Sequence, residues 1–145
     1  MRDHYERSEV RLEEQRADFS LYLLPNLIIM DFLNALFLIL GPCGLIFVVV
    51  AWLMLKYPPK EINQLYGYRT PASMKSQERW DFAQVYSSRL MFRMGWIFMA
   101  IAIPALFLQI DEGISAFLGL GLLIGGTIWL LVSTERAIKA RFKNE

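Results

Sequence analysis

Three long apolar runs constrain the fold of this chain more than any other feature. They cover residues 21–55, 94–110 and 114–132, and each contains only a few polar side chains. The hydrocarbon core of a bilayer is about 30 Å thick and is crossed by roughly 20 helical residues. With 55% hydrophobic residues in the whole chain, the sequence predicts an all-α integral membrane protein with three transmembrane helices.

The first run is too long for one straight crossing, whereas the other two each fit one. Gly41-Pro42 interrupts it, and we interpret it as a surface segment followed by one kinked or tilted span at about 30–55. Two short spans, 21–40 and 43–57, are the alternative, although the second is short for a bilayer. With further spans at about 92–110 and 114–132, the predicted membrane domain covers residues 30–132.

Charged segments flank this domain. Residues 1–29 are an N-terminal extension, interpreted as a solvated segment or an amphipathic surface helix. Because Met30 opens a compact first span, a misassigned translation start is an alternative explanation of the extension. No small-residue cleavage site follows the first apolar run, so that run is predicted to be an uncleaved anchor. Residues 133–145 form a basic tail.

The distribution of positive charge predicts the orientation. Between the first and second runs lie seven of the fifteen Lys and Arg residues, and four more follow residue 134. The turn at 109–113 has none and carries Asp111 and Glu112. The positive-inside rule therefore places the N-terminus outside and the loop and C-terminus in the cytoplasm. Three tryptophans near the predicted inner boundary agree with this: Trp52, Trp96 and Trp129.

The segment 56–91 is predicted to be a structured loop. Pro58-Pro59 ends the first helix, because neither residue donates the next backbone hydrogen bond. Gly67 lies between two tyrosines and predicts a turn with positive φ, which glycine adopts at little cost. Arg69 follows, and its planar guanidinium suits a phosphate or a carboxylate. Either Arg69 recognises a lipid headgroup or an anionic peptide group, or it only holds the loop, by pairing with Glu61 or Glu78 or by capping helix carbonyls.

A helix is predicted to follow this loop. Ser76 is a candidate N-cap, with Glu78 in the first turn. A polar stripe on one face, made of Gln77, Asp81, Gln84 and Ser88, predicts a helix on the inner membrane surface that turns into the second span near Met91. Trp80 is either an interfacial anchor or the wall of a pocket beneath the loop, and we favour the anchor.

Two features bear on helix shape and packing. Pro104 is predicted to kink the second span. Gly121 and Gly125 form a GxxxG pair, which lets helix backbones approach closely. The pair packs either against helices of the same chain or, as the less common meaning, at a homodimer seam.

Sequence patterns for catalysis are missing. The one histidine is His4, and no His, Cys or carboxylate cluster has metal-ligand spacing. We therefore predict no catalytic residue, no metal and no cofactor, and favour a non-enzymatic role. A Ser-Lys arrangement using Lys60 or Lys75 is the enzymatic alternative. The net charge of +1 gives no indication of direct nucleic-acid binding.

The loop resembles the signature of the SdpI family of bacterial membrane proteins. That signature reads Pro-Pro-x-x-Ile-Asn-x-x-Tyr-Gly-Tyr-Arg-Thr-x-x-Ser-Met, followed by Glu-x-Trp. From it we predict a recognition loop made of Pro59, Asn63, Tyr66, Gly67, Tyr68, Arg69, Thr70, Ser73, Glu78 and Trp80.

The resemblance implies a multipass protein of the bacterial cell (inner) membrane. The founding member confers immunity to a secreted peptide toxin and acts as a signal receptor that holds a repressor at the membrane. The implied partners here are membrane lipid, a peptide toxin and a cytoplasmic repressor, with a homo-oligomer as a further expectation. The alternative hypothesis is a membrane enzyme or transporter that binds a lipid headgroup.

Overall fold

A computed structural model describes residues 11, 15, 16 and 34–143. Within 34–143 it contains three long helices: α1 (Ala35–Lys56), α2 (Gln77–Ala105) and α3 (Glu112–Arg141). A short 3₁₀ helix, Ser73–Lys75, precedes α2. The predictions for residues 1–29 lie outside the described residues, except at positions 11, 15 and 16. The predicted beginning of the first span at Met30 also lies outside them.

The helices form an up-down-up bundle. Asn34 caps α1 by accepting a hydrogen bond from the Phe37 amide at 3.0 Å, and its side-chain nitrogen donates to the carbonyl of Ala105. The start of α1 therefore lies beside the end of α2. We refer to this end, with residues 106–111, as the turn end, and to the end that carries residues 57–76 as the loop end.

Helix α1 is continuous through Gly41-Pro42, so the alternative of two short spans that break there is wrong. Proline removes one backbone bond, and the remaining bonds of a 22-residue helix are retained. At the loop end the helix stops at Lys56, shortly before the two prolines that were expected to end it.

Helix α2 corrects the prediction of a separate surface helix between the first and second spans. Residues 77–105 form one helix of 29 residues, capped by Ser76 as expected. The polar side chains of Gln84, Ser87 and Ser88 are buried within the bundle. Of the predicted polar stripe, Gln84 and Ser88 therefore face the interior, whereas Gln77 and Asp81 are exposed. Pro104 is the penultimate residue of α2, so it marks the end of the helix.

Helix α3 continues well beyond the predicted span 114–132. The Asp111 side chain caps its start by accepting from the amides of Gly113 and Ile114 at 3.0 and 3.1 Å. Its last turn carries Lys139 and Arg141, where cations interact favourably with the helix dipole. Most of the predicted basic tail is therefore helical. At 1.5 Å per residue, α2 and α3 are each about 45 Å long and α1 about 33 Å.

Small residues set the closest helix contact, but not the pair that the sequence suggested. A Cβ on Gly44 would lie 2.8 Å from the Gly95 carbonyl oxygen, and one on Gly95 would lie 2.7 Å from that of Gly44. Gly121 and Gly125 have nothing within 4 Å of a Cβ, so their predicted packing against this chain's own helices is wrong for the part that the structure describes. Instead, α3 uses Gly119 and Gly126 to pack against α1 and α2.

The outer surface of the bundle is strongly apolar. Of the described helices, α1 and α3 are long and apolar enough to cross a bilayer, and little of either is buried. Leu, Ile, Val and Trp side chains are exposed along both. Apolar faces of this extent are unfavourable in water, and they fit a membrane protein.

Candidate functional site

The loop between α1 and α2 is fastened to α2 by a buried tryptophan. The Trp80 ring is fully buried, and its indole nitrogen donates to the Pro59 carbonyl at 3.1 Å. The preferred prediction of an interfacial anchor is therefore wrong, and Trp80 is a wall beneath the loop. A buried indole N–H needs an acceptor, and the turn at Pro59 supplies one.

A second attachment is made by Gln84, which belongs to the predicted polar stripe of α2. Its side-chain oxygen accepts from the Tyr68 amide at 2.6 Å, and its nitrogen donates to the Tyr68 carbonyl at 3.0 Å. Gly67 has φ 108°, as predicted, and a Cβ there would lie 2.5 Å from the Gln84 oxygen. Both features therefore require glycine at this position.

Thr70 and Ser73 close the loop by reciprocal bonds. The Ser73 hydroxyl accepts from the Thr70 amide at 2.9 Å, and the Thr70 hydroxyl accepts from the Ser73 amide at 3.2 Å. Ser73 also donates to the Tyr68 carbonyl at 2.8 Å. These two signature residues thus shape the loop, and their hydroxyls are engaged within it.

The outward part of the loop, residues 62–66 with Arg69, forms what we term the loop tip. Asn63 shapes it by accepting from the amides of Leu65 and Tyr66 at 2.9 and 3.1 Å. Arg69 donates to the Gln64 carbonyl. Within the described residues, no ion pair joins Arg69 to Glu61 or Glu78, so of the contacts considered for holding the loop the structure shows one to a backbone carbonyl and none to these glutamates. Leu65 is 85% exposed, and the Arg69 side chain is also exposed.

Tyr68 connects the loop to α3. Its hydroxyl oxygen lies 3.2 Å from the Leu131 carbonyl oxygen and 3.2 Å from a Glu135 carboxylate oxygen, and these two acceptors share its single proton. Burial, and then the negative charge of Glu135, raises the pKa of Tyr68 well above its usual value. The neutral phenol is therefore the form that holds the loop against α3.

This shift predicts a loss of stability in alkali. Because the folded-state pKa of Tyr68 is raised, its contribution is complete below the ordinary tyrosine pKa of about 10 and declines as the pH rises above it. The melting temperature of the wild type should exceed that of Tyr68→Phe by a constant margin up to about pH 9, and the margin should shrink progressively as the pH rises above about 10. In Glu135→Gln the total loss of the margin should be smaller, because the pKa of Tyr68 is then raised less. A margin unchanged between about pH 9 and pH 11 would contradict the assignment.

A cavity of roughly 170 Å³ lies beneath the loop, between the three helices. Val50, Met54, Met91 and Leu130 give it an apolar floor. Its polar side is formed by Tyr68 of the loop and by Gln84, Ser87 and Ser88 of α2. Over residues 34–143, no group of three His, Cys, Asp or Glu side chains could hold a metal ion.

At the far side of the loop end, the N-terminus of α2 meets the C-terminus of α3. Arg79 donates to the Phe142 carbonyl at 3.1 Å, and Arg141 lies over the Phe82 ring at 4.8 Å. The Phe82 and Phe142 rings are 5.9 Å apart. These contacts join the start of α2 to the end of α3, and both segments extend beyond the end of α1. The loop therefore lies against two helices that contact each other.

Nine of the ten predicted loop residues thus lie in the ordered loop backbone or form hydrogen bonds with it. Glu78 is instead exposed in the first turn of α2. Exposed apolar helices carrying such a loop define the class of a helical, membrane-type protein. The model of the SdpI/YfhL protein family matches residues 60–134, which include most of the loop, all of α2 and most of α3. This match covers more than half of the chain, and the chain belongs to that family.

A related protein of Bacillus subtilis (strain 168), described as uncharacterized protein YfhL, is 38% identical over 84 residues. The aligned region covers 57% of this chain and 59% of the relative, so the chain spans less than two thirds of the relative's length. No solved structure matches the chain at a significant level.

Proposed function

We propose that the chain is a multipass protein of the bacterial cell membrane with three crossings. The apolar surfaces of α1 and α3 support this, as does the apolar second half of α2. The proposed orientation has the N-terminus outside and the loop end in the cytoplasm, because the basic residues concentrate at that end.

Accessibility of an engineered cysteine tests the orientation. Leu65→Cys should react with an impermeant maleimide only after the cells are permeabilised, whereas Gln109→Cys should react in intact cells. The native Cys43 lies inside α1, and Cys43→Ala provides the background for both variants. Reaction of the Leu65→Cys variant in intact cells would overturn the orientation.

Within this arrangement, we propose an immunity protein or signal receptor of the SdpI type, with the loop as its recognition element. The observation that carries the proposal is that some loop residues fix the backbone while others expose their side chains. Asn63, Tyr68 and Ser73 hold its backbone by hydrogen bonds, and the loop tip presents Leu65 and Arg69 outward. A fixed backbone with an apolar and a cationic side chain suits an amphipathic peptide or protein segment, because little ordering entropy is lost on binding.

Survival of a toxin-sensitive strain tests immunity. Cells expressing the chain should survive a membrane-active peptide toxin better than cells with an empty vector, and Leu65→Asp with Arg69→Ala should abolish the difference. Lys75→Ala is the matched control, since Lys75 is an exposed cation outside the loop tip. Equal survival of vector and wild type, with insertion shown by membrane fractionation, would refute immunity. Retention of a cytoplasmic repressor at the membrane would be the corresponding readout for a receptor.

One observation favours a second candidate, a membrane enzyme or transporter that binds a lipid headgroup. The Arg69 guanidinium is exposed and pairs with neither nearby glutamate, so part of its fork is available to a phosphate. Phosphatidylglycerol binding that Arg69→Ala weakens at least tenfold, without any effect on toxin survival, would support this candidate over immunity.

A homo-oligomer is also proposed, through the face of α3 that carries Gly121 and Gly125. Both positions are open in the described part of the chain. Replacing both by leucine should reduce the particle size of the purified protein to that of a monomer, and an unchanged size would refute this seam.

A further inference from the structure

One of the polar side chains that line the cavity beneath the loop has no hydrogen-bond partner among the described residues. Both polar atoms of the Gln84 amide are bonded to Tyr68, and the Ser87 hydroxyl donates to the Gln84 carbonyl at 3.3 Å. Ser88 is only 2% exposed, yet its hydroxyl has no hydrogen-bond partner among the described residues. Among the described residues, every fully enclosed side-chain nitrogen or oxygen atom has a hydrogen-bond partner. The Ser88 oxygen therefore borders the cavity space.

The cavity lies at the level where an aromatic belt is expected. Trp52 is placed between the lining residues Val50 and Met54 of α1, and Trp129 immediately precedes the lining residue Leu130 of α3. Both tryptophans are about half exposed. Exposed tryptophans of membrane proteins concentrate at the boundary between headgroups and hydrocarbon. Val50 is itself 37% exposed, so the cavity adjoins the lipid-facing surface of α1.

Size and chemistry together indicate the occupant. An apolar cavity of about 150 Å³ accommodates a benzene molecule, so roughly 170 Å³ has room for an aliphatic segment of about six carbons. The apolar floor suits such a segment, and Ser88 offers a hydroxyl that donates to a carbonyl oxygen. An ester-linked acyl chain has both parts in the required order.

We propose that this cavity binds the ester end of one acyl chain of a membrane diacyl lipid. The first carbons of the chain lie against Met54, Met91 and Leu130, and the ester carbonyl accepts a hydrogen bond from the Ser88 hydroxyl. The lipid thereby satisfies the remaining polar group and packs beneath the loop that Gln84 holds in place.

A comparison of two lipids tests the role of Ser88. Purified protein is exchanged into micelles containing dipalmitoyl phosphatidylglycerol or its diether analogue with chains of the same length, and retained lipid is counted by native mass spectrometry. The diester should be retained about two- to tenfold more strongly, the usual effect of one neutral hydrogen bond. Ser88→Ala should remove this preference. Ser87→Ala should keep it, because the Ser87 hydroxyl is already bonded within the helix.

Equal retention of the two lipids by the wild type, or an undiminished preference in Ser88→Ala, would overturn the proposal. Met54→Trp gives a second readout, since the larger ring fills the cavity and should reduce retention of both lipids. If no variant and no wild-type protein retained lipid, the cavity would hold water alone, and the proposal would likewise be overturned.

This inference rests on the proposed membrane position, but its test is separate from the tests of orientation and immunity. Lipid retention in micelles does not depend on which side of the membrane the loop faces. A failed cysteine experiment would therefore change the topology alone, and a failed lipid comparison would remove the acyl site alone.

Discussion

Gly95→Ala should lower the stability of the bundle, whereas Gly121→Ala should raise it slightly. At Gly95 the added methyl group would lie 2.7 Å from the Gly44 carbonyl oxygen and 2.9 Å from the Val48 amide nitrogen. These are backbone atoms, so α1 and α2 must separate. Such overpacking costs about 1–3 kcal/mol, and Gly95→Leu should exceed this and prevent assembly of the bundle.

Gly121 is the matched control for packing within the chain, because the chemical change is the same and the added methyl group meets nothing within 4 Å. Both variants are compared as monomers, so that the proposed oligomer seam of α3 does not contribute. Alanine is favoured over glycine in a helix interior by about 0.5–1 kcal/mol. The two variants should thus shift the melting temperature of the purified protein in opposite directions, with size-exclusion profiles reporting the loss of assembly. Equal shifts would contradict the close contact between α1 and α2.

Gln84→Leu should release the loop while leaving the three helices folded. The substitution removes two hydrogen bonds to the Tyr68 backbone and leaves the Tyr68 amide without its partner. An unsatisfied buried polar group costs about 1–3 kcal/mol. Hydrogen exchange should accelerate about tenfold or more across residues 59–73, which corresponds to at least roughly 1.4 kcal/mol of local stability. Exchange within α1 should be unaffected.

Two further variants make this test specific. Gln84→Glu keeps an oxygen that accepts from the Tyr68 amide but lacks the donor to the Tyr68 carbonyl, so its effect should be intermediate. Gln77→Leu removes an exposed amide that bonds Lys60 and Asp81 at the surface, and it should change exchange little. A loop equally protected in the wild type and in Gln84→Leu would show that other contacts hold it.

The sequence was sufficient to predict the helical class, the approximate positions of the apolar helices and the ordered loop, because each follows from local composition. Gly67 illustrates this best, since its position between two tyrosines predicted the positive φ that is observed. The Ser76 cap is a second case. Both depend on residues close together in the chain.

Interpretations that depended on distant residues were less successful. The polar stripe of α2 was assigned to the membrane surface, but within it Gln84 points inward and bonds Tyr68. This contact could not be predicted locally, because the two residues are 16 positions apart. Gly119 and Gly121 differ by two positions, or about 200° around a helix, so only Gly119 faces α1. Gly44 and Gly95 were missed because their proximity exists only after α1 and α2 have crossed.

The unequal lengths of the helices have a consequence for the response to bilayer thickness. In the proposed arrangement, α1 ends where the loop begins, while α2 and α3 continue past it as a joined pair. A thicker bilayer would draw the loop tip toward the lipid headgroups, and a thinner one would leave it standing in the aqueous phase. Lipid chain length should therefore tune how readily an aqueous reagent reaches residue 65, and a series of vesicles with progressively longer chains would measure that dependence.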